Sequence, residues 1–147
     1  MNYHQIAAAD IEAFVKMLDP SRVFSDNETR TEYGHDETED LHYPPEVVLK
    51  PINALEVSAV LRYCNENLIP VTPIGARTGL SGGALSVHGG VGLSMEKLNR
   101  IIAVDEFNLQ VVVEPGVITQ VLQETVAAKG LYYPPDPSSR GSCFIGG

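Results

Sequence analysis

Two short apolar runs bracket a helical pattern between residues 46 and 74, and that order leaves few folds open. Val47, Val48 and Leu49 stand in a row within Glu46–Lys50, the pattern of a short strand buried on both faces. Asn53 is placed to cap a helix, and Glu56 three residues on completes a capping-box-like pair. Val57, Val60, Leu61, Cys64 and Leu68 then recur at i, i+3, i+4, i+7 and i+11, which is one apolar face with Cys64 in the core. Pro70–Ile74 reads as a second strand. Strand, helix and strand with short joints form a βαβ unit, whose parallel strands imply a right-handed crossover.

Before this unit, His4–Leu18 predicts an amphipathic helix closed by Asp19-Pro20. An acidic stretch follows as far as Tyr43-Pro44-Pro45. Residues 1–50 hold four basic and eleven acidic residues, whereas residues 51–147 hold six and eight. The acid load is therefore concentrated between Asp26 and Asp40, and it reads as a solvated, loop-like connector. Residues 1–45 are expected to be an N-terminal helix and acidic connector, with a separate unit beginning at residue 46. The near-neutral remainder leaves room for an anionic ligand held by local donors.

After Ile74 the pattern changes. Seven of the thirteen glycines fall between Gly75 and Gly92, too many for a helix. Val91–Met95 and Ile101–Val104 read as strands, and Asp105–Asn108 as a turn. Leu109–Glu114 reads as a β-branched strand, so a hairpin is expected here. Ile118, Val121, Leu122, Thr125 and Val126 share one face of a further helix, with Gly130 just past its end. The fold class is α+β: a small parallel βαβ sheet, an α/β subdomain, joined to an antiparallel hairpin region.

Composition removes several functions. With 147 residues and 44% hydrophobic content, one domain burying roughly 68–70% of its unfolded surface is expected. A net charge of -9 disfavours nucleic acid as a partner, since phosphate neutralisation needs basic surface. No apolar run reaches the roughly 18 residues of a transmembrane segment, and no signal-peptide pattern opens the chain. Cys64 and Cys143 form neither a disulfide framework nor a C-x-x-C pair, which fits a reducing, cytoplasmic setting. His4, His35, His42 and His88 lack metal-ligand spacing, so no metal site is expected.

Two loops can carry chemistry. The first is P-I-G-A-R-T-G-L-S-G-G-A, Pro73–Ala84. Its glycines let backbone N–H groups approach a ligand, Thr78 and Ser81 add hydroxyls, and Arg77 adds a charge. It lacks the Gly-Lys-Ser/Thr ending of a P-loop and the G-x-G-x-x-G fingerprint. On composition, a structural turn and a phosphate cradle fit it equally. The second is P-P-D-P-S-S-R-G-S-C-F-I-G-G, Pro134–Gly147. Ser138, Ser139 and Ser142 supply hydroxyls, and Gly141, Gly146 and Gly147 permit close approach. It fits a disordered terminal tail or one side of a ligand clamp. Asp136, between prolines, reads as a turn acid rather than a general base. Cys143 has no sequence-adjacent histidine to make it a nucleophile.

The capped helix from Asn53, "PVTPIGARTGLSGGAL", "EKLNRIIAVD", "VVVEPGV" and "YYPPDPSSRGSCFIGG", in this order, carry a resemblance. From Pro51 to Gly147 the chain resembles the first part of the PCMH-type FAD-binding domain of the vanillyl-alcohol oxidase/p-cresol methylhydroxylase superfamily. Within it, the FAD-linked D-2-hydroxy-acid dehydrogenases are most similar: D-lactate dehydrogenase, the glycolate oxidase flavoprotein subunit and D-2-hydroxyglutarate dehydrogenase. The resemblance implies a flavoprotein oxidoreductase in which FAD takes hydride from a D-2-hydroxy acid and an electron acceptor reoxidises it.

The cofactor-binding residues it implies are Pro73, Gly75, Ala76, Arg77, Thr78, Gly79, Leu80 and Ser81 at the pyrophosphate. Pro135, Asp136, Pro137, Ser138, Ser139, Gly141, Ser142, Cys143, Ile145, Gly146 and Gly147 would run along the cofactor toward the flavin. Thr78 occupies the position where some relatives attach FAD through a histidine, so noncovalent binding is implied. Ile74 stands where Arg is frequent, and Arg77 where Gly is frequent. Family enzymes run several hundred residues, so residues 46–147 are expected to be an incomplete, truncated FAD-binding domain, inactive alone. Catalytic residues would lie outside it. Some relatives feed quinones, so peripheral attachment to the inner face of a membrane stays open. The competing reading is a free-standing noncatalytic module that binds a nucleotide phosphate or a protein partner.

Overall fold

The computed structural model describes residues 3–146. Its larger sheet has four strands in the order β1 (Val23–Phe24), β2 (Val47–Leu49), β4 (Val91–Ser94) and β3 (Val71–Ile74). Strands β2 and β3 both run parallel to β4, which lies between them. The expected βαβ unit is present, with helix α3 (Ala54–Glu66) crossing from β2 to β3. Val47, Val48 and Leu49 are fully buried because both sheet faces are covered. Val47 and Leu49 pack with Phe14, Val60, Cys64, Ile69, Val91 and Leu93, whereas Val48 packs on the opposite face with Tyr33 and Ile74.

Asn53 caps α3 by accepting from the Glu56 N–H at 2.9 Å. The Glu56 carboxylate does not return to Asn53. It accepts from the Ile52 N–H at 2.9 Å and pairs with the Arg22 guanidinium, which also donates to the Leu18 carbonyl. Val60 and Cys64 are buried as expected, and burial raises the Cys64 thiol to about 11. Leu61 and Leu68 are exposed instead. Their places against the core are taken by Tyr63 and Ile69, because Leu68 turns into the left-handed region (φ 55°) and the chain reverses there.

The N-terminal half is more ordered than its charge suggested. Helix α1 begins at Ala8, not His4, and runs as Ala8–Met17. Asp10 fixes that start by accepting from the Ala7 N–H at 2.7 Å. The acidic stretch is not a loop-like connector. A 3-10 turn (Pro20–Arg22) leads into β1 (Val23–Phe24), which pairs antiparallel with β2. Helix α2 (Asn27–Glu32) follows, capped by Asp26 accepting from the Thr29 N–H at 2.8 Å. Its acids are exposed, as are Glu37, Glu39 and Asp40; Tyr33 and Asp36 are buried.

The hairpin pairs β5 (Ile101–Asp105) with β6 (Gln110–Val113), and its turn is closed by Asp105 accepting from the Asn108 N–H. Helix α4 (Thr119–Ala127) packs Leu122 and Val126 on it; Val121 faces solvent. The resulting α+β class, with a parallel sheet beside an antiparallel hairpin, matches the expectation. Among the described residues no helix is long and apolar enough to cross a membrane.

Asp10 carries the first test. It also accepts from the Tyr63 hydroxyl at 2.8 Å and pairs with the His4 ring at 2.8 Å. Burial pushes its carboxyl up, but the Ala7 N–H, His4 and Tyr63 outweigh that and hold it below its usual value. A lowered folded pKa gives stability that is present above the unfolded value, about pH 4, and is lost as pH falls through the folded one. Asp10→Asn should cost about 1–3 kcal/mol at neutral pH. Urea unfolding should show the variant losing less further stability than the parent below about pH 4; identical acid profiles would contradict this role.

Candidate functional site

Because β2, β4 and β3 are parallel, their carboxyl ends share one sheet edge. The loop Gly75–Ser81 leaves β3 at that edge. It borders a cavity of about 500 Å³ whose walls include Pro73, Gly75, Arg77, Thr78, Gly79, Leu80 and Ser81 from the first predicted loop, and Cys143, Phe144 and Gly146 from the second. Among the described residues, none accepts a hydrogen bond from the backbone N–H groups of residues 75–81, and the Thr78 and Ser81 hydroxyls have no partner. These free donors at the end of a parallel strand are an anion-binding arrangement. Ala76 does not line the cavity.

Arg77 is used differently from a phosphate-binding cation. Its guanidinium donates to the Glu32 carbonyl, pairs with the Glu32 carboxylate at 3.0 Å, and lies 4.4 Å from the centroid of the Tyr33 ring. Its backbone sits at φ 59°, a region that favours glycine. A residue other than glycine there costs roughly 1–2 kcal/mol, which the contacts with α2 offset. Beneath it, the Tyr33 hydroxyl donates to Glu96, and Lys50 pairs with Glu96 at 3.0 Å. Burial pushes the Glu96 carboxyl up, but Tyr33 and Lys50 hold it below its usual value.

A second brace comes from the acidic segment. The Glu37 N–H donates to the Gly79 carbonyl at 3.0 Å, and the Gly82 N–H donates to the Thr38 hydroxyl at 2.8 Å. Asp36 Oδ1 accepts from the Thr38 N–H at 2.9 Å. Asp36 itself lines the cavity. Sequence reading missed Asp36, Ile74, Gly83, Ala84, Met95 and Phe144 as cavity residues. For Asp36, the only available signal was the Asx-turn spacing to Thr38.

The second loop is not a free tail. Helix α4 has no side-chain N-cap, and its first N–H groups are satisfied by this loop instead. Thr119 N–H donates to the Cys143 carbonyl at 3.1 Å, and Gln120 N–H to the Arg140 carbonyl at 2.9 Å. Ile145 N–H returns to Val117 and Gly146 N–H to Pro115, at 2.9 and 2.8 Å. A Cβ at Gly146 would lie 2.4 Å from Pro115 Cβ, so only glycine fits there without a shift.

This path splits the predicted residues into two groups. Cys143 and Gly146 reach the cavity, whereas Pro135, Asp136, Pro137, Ser138, Ser139, Gly141, Ser142 and Ile145 do not line it. Asp136 pairs with Arg140 at 2.8 Å, Gln123 donates to the Pro135 carbonyl, and Ile145 packs against the hairpin and α4. Gly147 lies outside the described residues. Among the described residues no cluster of His, Cys, Asp and Glu could hold a metal.

Parallel strands ending in a donor-rich glycine loop, faced by a second loop, define a nucleotide-binding domain. The chain belongs to the FAD binding domain family, whose profile matches residues 45–147. It is 42% identical over 139 residues to D-lactate dehydrogenase of Anaerostipes hadrus, covering 94% of this chain and 29% of that protein. It is 38% identical over 136 residues to glycolate oxidase subunit GlcD of Bacillus subtilis (92% and 29%). It is 35% identical over 137 residues to D-2-hydroxyglutarate dehydrogenase of Stutzerimonas stutzeri (93% and 30%). The chain therefore spans under a third of these relatives' length.

Among solved structures, alkyldihydroxyacetonephosphate synthase has a TM-score of 0.86 at 14% identity, covering 99% of this chain and 29% of that one. p-Cresol methylhydroxylase has a TM-score of 0.74 at 24% identity (84% and 25%). At these identities the likeness is one of fold. FAD is the cofactor the family assigns. The open N–H run of residues 75–81 fits its diphosphate in charge and donor type.

Amide exchange tests the placement of the second loop. Ile145 and Gly146 should exchange slowly, held by Val117 and Pro115, while Ser138, Gly141 and Phe144 exchange fast. Uniformly fast exchange from Ser138 to Gly146 would contradict the path described.

Proposed function

We propose that this chain is the N-terminal FAD-binding portion of a flavin-dependent oxidoreductase that oxidises a D-2-hydroxy acid of the D-lactate or glycolate type. The observation that carries the reading is the run of unpartnered N–H groups at residues 75–81, which, Ala76 apart, line one cavity with Cys143, Phe144 and Gly146. When bound, FAD supplies hydride acceptance at flavin N5. The chain's own share is to bind and orient.

In this reading the N–H groups of residues 75–81 and the hydroxyls of Thr78 and Ser81 hold the diphosphate. Arg77 sets the loop's shape from behind. Cys143, Phe144 and Gly146 wall the cofactor on the side of the second loop. Thr78 stands where some relatives carry the attaching histidine, so in this reading FAD is held noncovalently. The residues of 135–142, outside the cavity here, would reach FAD only further along its length. The division of the chain at residue 45 belongs to the proposal too, although β1 lends an edge strand to the sheet. An electron acceptor reoxidises the flavin, and the two free cysteines support a cytoplasmic location.

Gly79 provides the test. A Cβ built there meets nothing within 4 Å, so Gly79→Asp leaves the fold intact while placing a carboxylate beside the diphosphate. We expect flavin-fluorescence titration to show FAD affinity weakened by about tenfold or more, with the midpoint of thermal unfolding unchanged. The full-length protein should then transfer electrons from D-lactate, glycolate or D-2-hydroxyglutarate to an artificial acceptor. Unchanged FAD affinity in the variant would remove the loop from the cofactor site.

A further inference from the structure

Asp36 stands out among the acids of its segment. The others from Asp26 to Asp40 are exposed, whereas Asp36 is only 7% exposed. Its Oδ1 is occupied by the Thr38 N–H, but its Oδ2 has no hydrogen-bond partner among the described residues. A buried, unpaired carboxylate oxygen is strongly disfavoured unless something donates to it. The group stays ionised: burial pushes its pKa up, but the Thr38 hydroxyl and N–H, with the Ala84 and Asp36 N–H groups, hold it below its usual value. Asp36 lines the cavity, so a donor bound there is a partner available to Oδ2.

The same cavity is lined by six of the seven residues 75–81, whose N–H groups are free to meet an anion. A carboxylate next to such a site repels phosphate, so it cannot itself be a phosphate contact. In a dinucleotide, the groups flanking the diphosphate on either side are sugar-type hydroxyls. We propose that Asp36 Oδ2 accepts a hydrogen bond from a hydroxyl of FAD adjoining the diphosphate, on its ribityl chain or its adenosine ribose. In that role Asp36 sets which hydroxyl-bearing part of the cofactor lies beside the glycine loop and excludes a phosphate from that position. The logic is that of an acid reading a ribose hydroxyl in dinucleotide-binding folds, except that this acid precedes the glycine loop in the chain. The inference rests on FAD occupying the cavity.

The test measures dissociation constants for FAD and for FAD analogues that each lack one hydroxyl of the ribityl chain or the adenosine ribose, using the whole natural protein. One analogue should bind the parent about tenfold or more weakly than FAD, the effect of losing one hydrogen bond to an ionised acceptor. Asp36→Asn, which replaces an acceptor oxygen by an amide of the same shape, should weaken FAD by a similar factor and no longer distinguish that analogue from FAD. Thr38→Val removes the hydroxyl that braces Gly82 but keeps the backbone N–H that holds Asp36 Oδ1. It should weaken FAD and all analogues alike.

If Asp36→Asn behaves as Thr38→Val does, Asp36 only braces the loop and the proposal fails. Should Asp36→Asn not fold, the parent series still decides: no single missing hydroxyl costing tenfold overturns the assignment. A parent that binds FAD but ignores every hydroxyl defeats this inference alone. A parent that binds no FAD defeats the functional reading with it.

Discussion

Strand β4 is the member on which the rest is hung. It is hydrogen-bonded to β2 on one side and β3 on the other, and all four of its residues are buried. Its entry is tightly constrained: Gly90 lies at φ 69°, where a Cβ would fall 2.3 Å from the Pro70 carbonyl oxygen. With β4 in register, Leu49 faces Leu93 and Ile74 faces Ser94, so the exits of three strands arrive together. A relay of backbone hydrogen bonds then carries that position outward. Leu98 N–H donates to Met95, Gly116 N–H to Leu98, and Gly146 N–H to Pro115. The second loop is thereby indexed to the same sheet edge as the first, although many residues and a hairpin separate them.

Behind the glycine loop lies a polar cluster rather than more apolar packing. Tyr33, Lys50, Glu96 and Arg77 bind one another through a hydroxyl–carboxylate bond, an ion pair and cation–ring contacts. Such clusters add little net stability over apolar substitutes, because desolvation offsets the attraction. Their geometry is directional, however. An apolar plug under residue 77 would leave the loop free to choose among glycine-permitted conformations. The guanidinium fixed on Glu32 and Tyr33 selects one of them, and it does so from a segment that precedes the βαβ unit.

The elements legible in the sequence were those with local signals. The buried run Val47–Leu49, the Asn53 cap, the Asp105–Asn108 turn and the glycine loop after β3 all follow from patterns a few residues long. What was not legible depends on distant partners. Leu61 obeys helical periodicity yet faces water, because the packing surface is narrower than the apolar stripe, and Leu68 falls past the end of α3, where the chain reverses. Asp36 is chemically identical to Asp40, and only the return of the chain against Gly79 and Gly82 buries one and not the other. The second loop, with three prolines and many small polar residues, carries no sign that α4 needs its carbonyls as a cap. That need arises because Ile118 occupies the capping position without a side-chain acceptor.

This division explains how so acidic a chain can offer an anion site at all. The formal charge is -9, and the one cation in the glycine loop is already committed to Glu32. A site built from lysines would have to overcome the surrounding field and would be screened by salt. Backbone N–H groups avoid both problems. Their partial charges are fixed in direction, need no counter-ion and act at hydrogen-bond range, where the nearest donor outweighs the distant acids. Glu28, Glu37, Glu39 and Asp40 are exposed, so their field is dissipated by water before it reaches the cavity, and Glu32 is neutralised by Arg77. The single exception is Asp36, and its position among free N–H groups makes it a local acceptor rather than part of the general acidity. Selectivity at such a site comes from where each donor and acceptor is placed, and placement is what β4 and the relay from it secure.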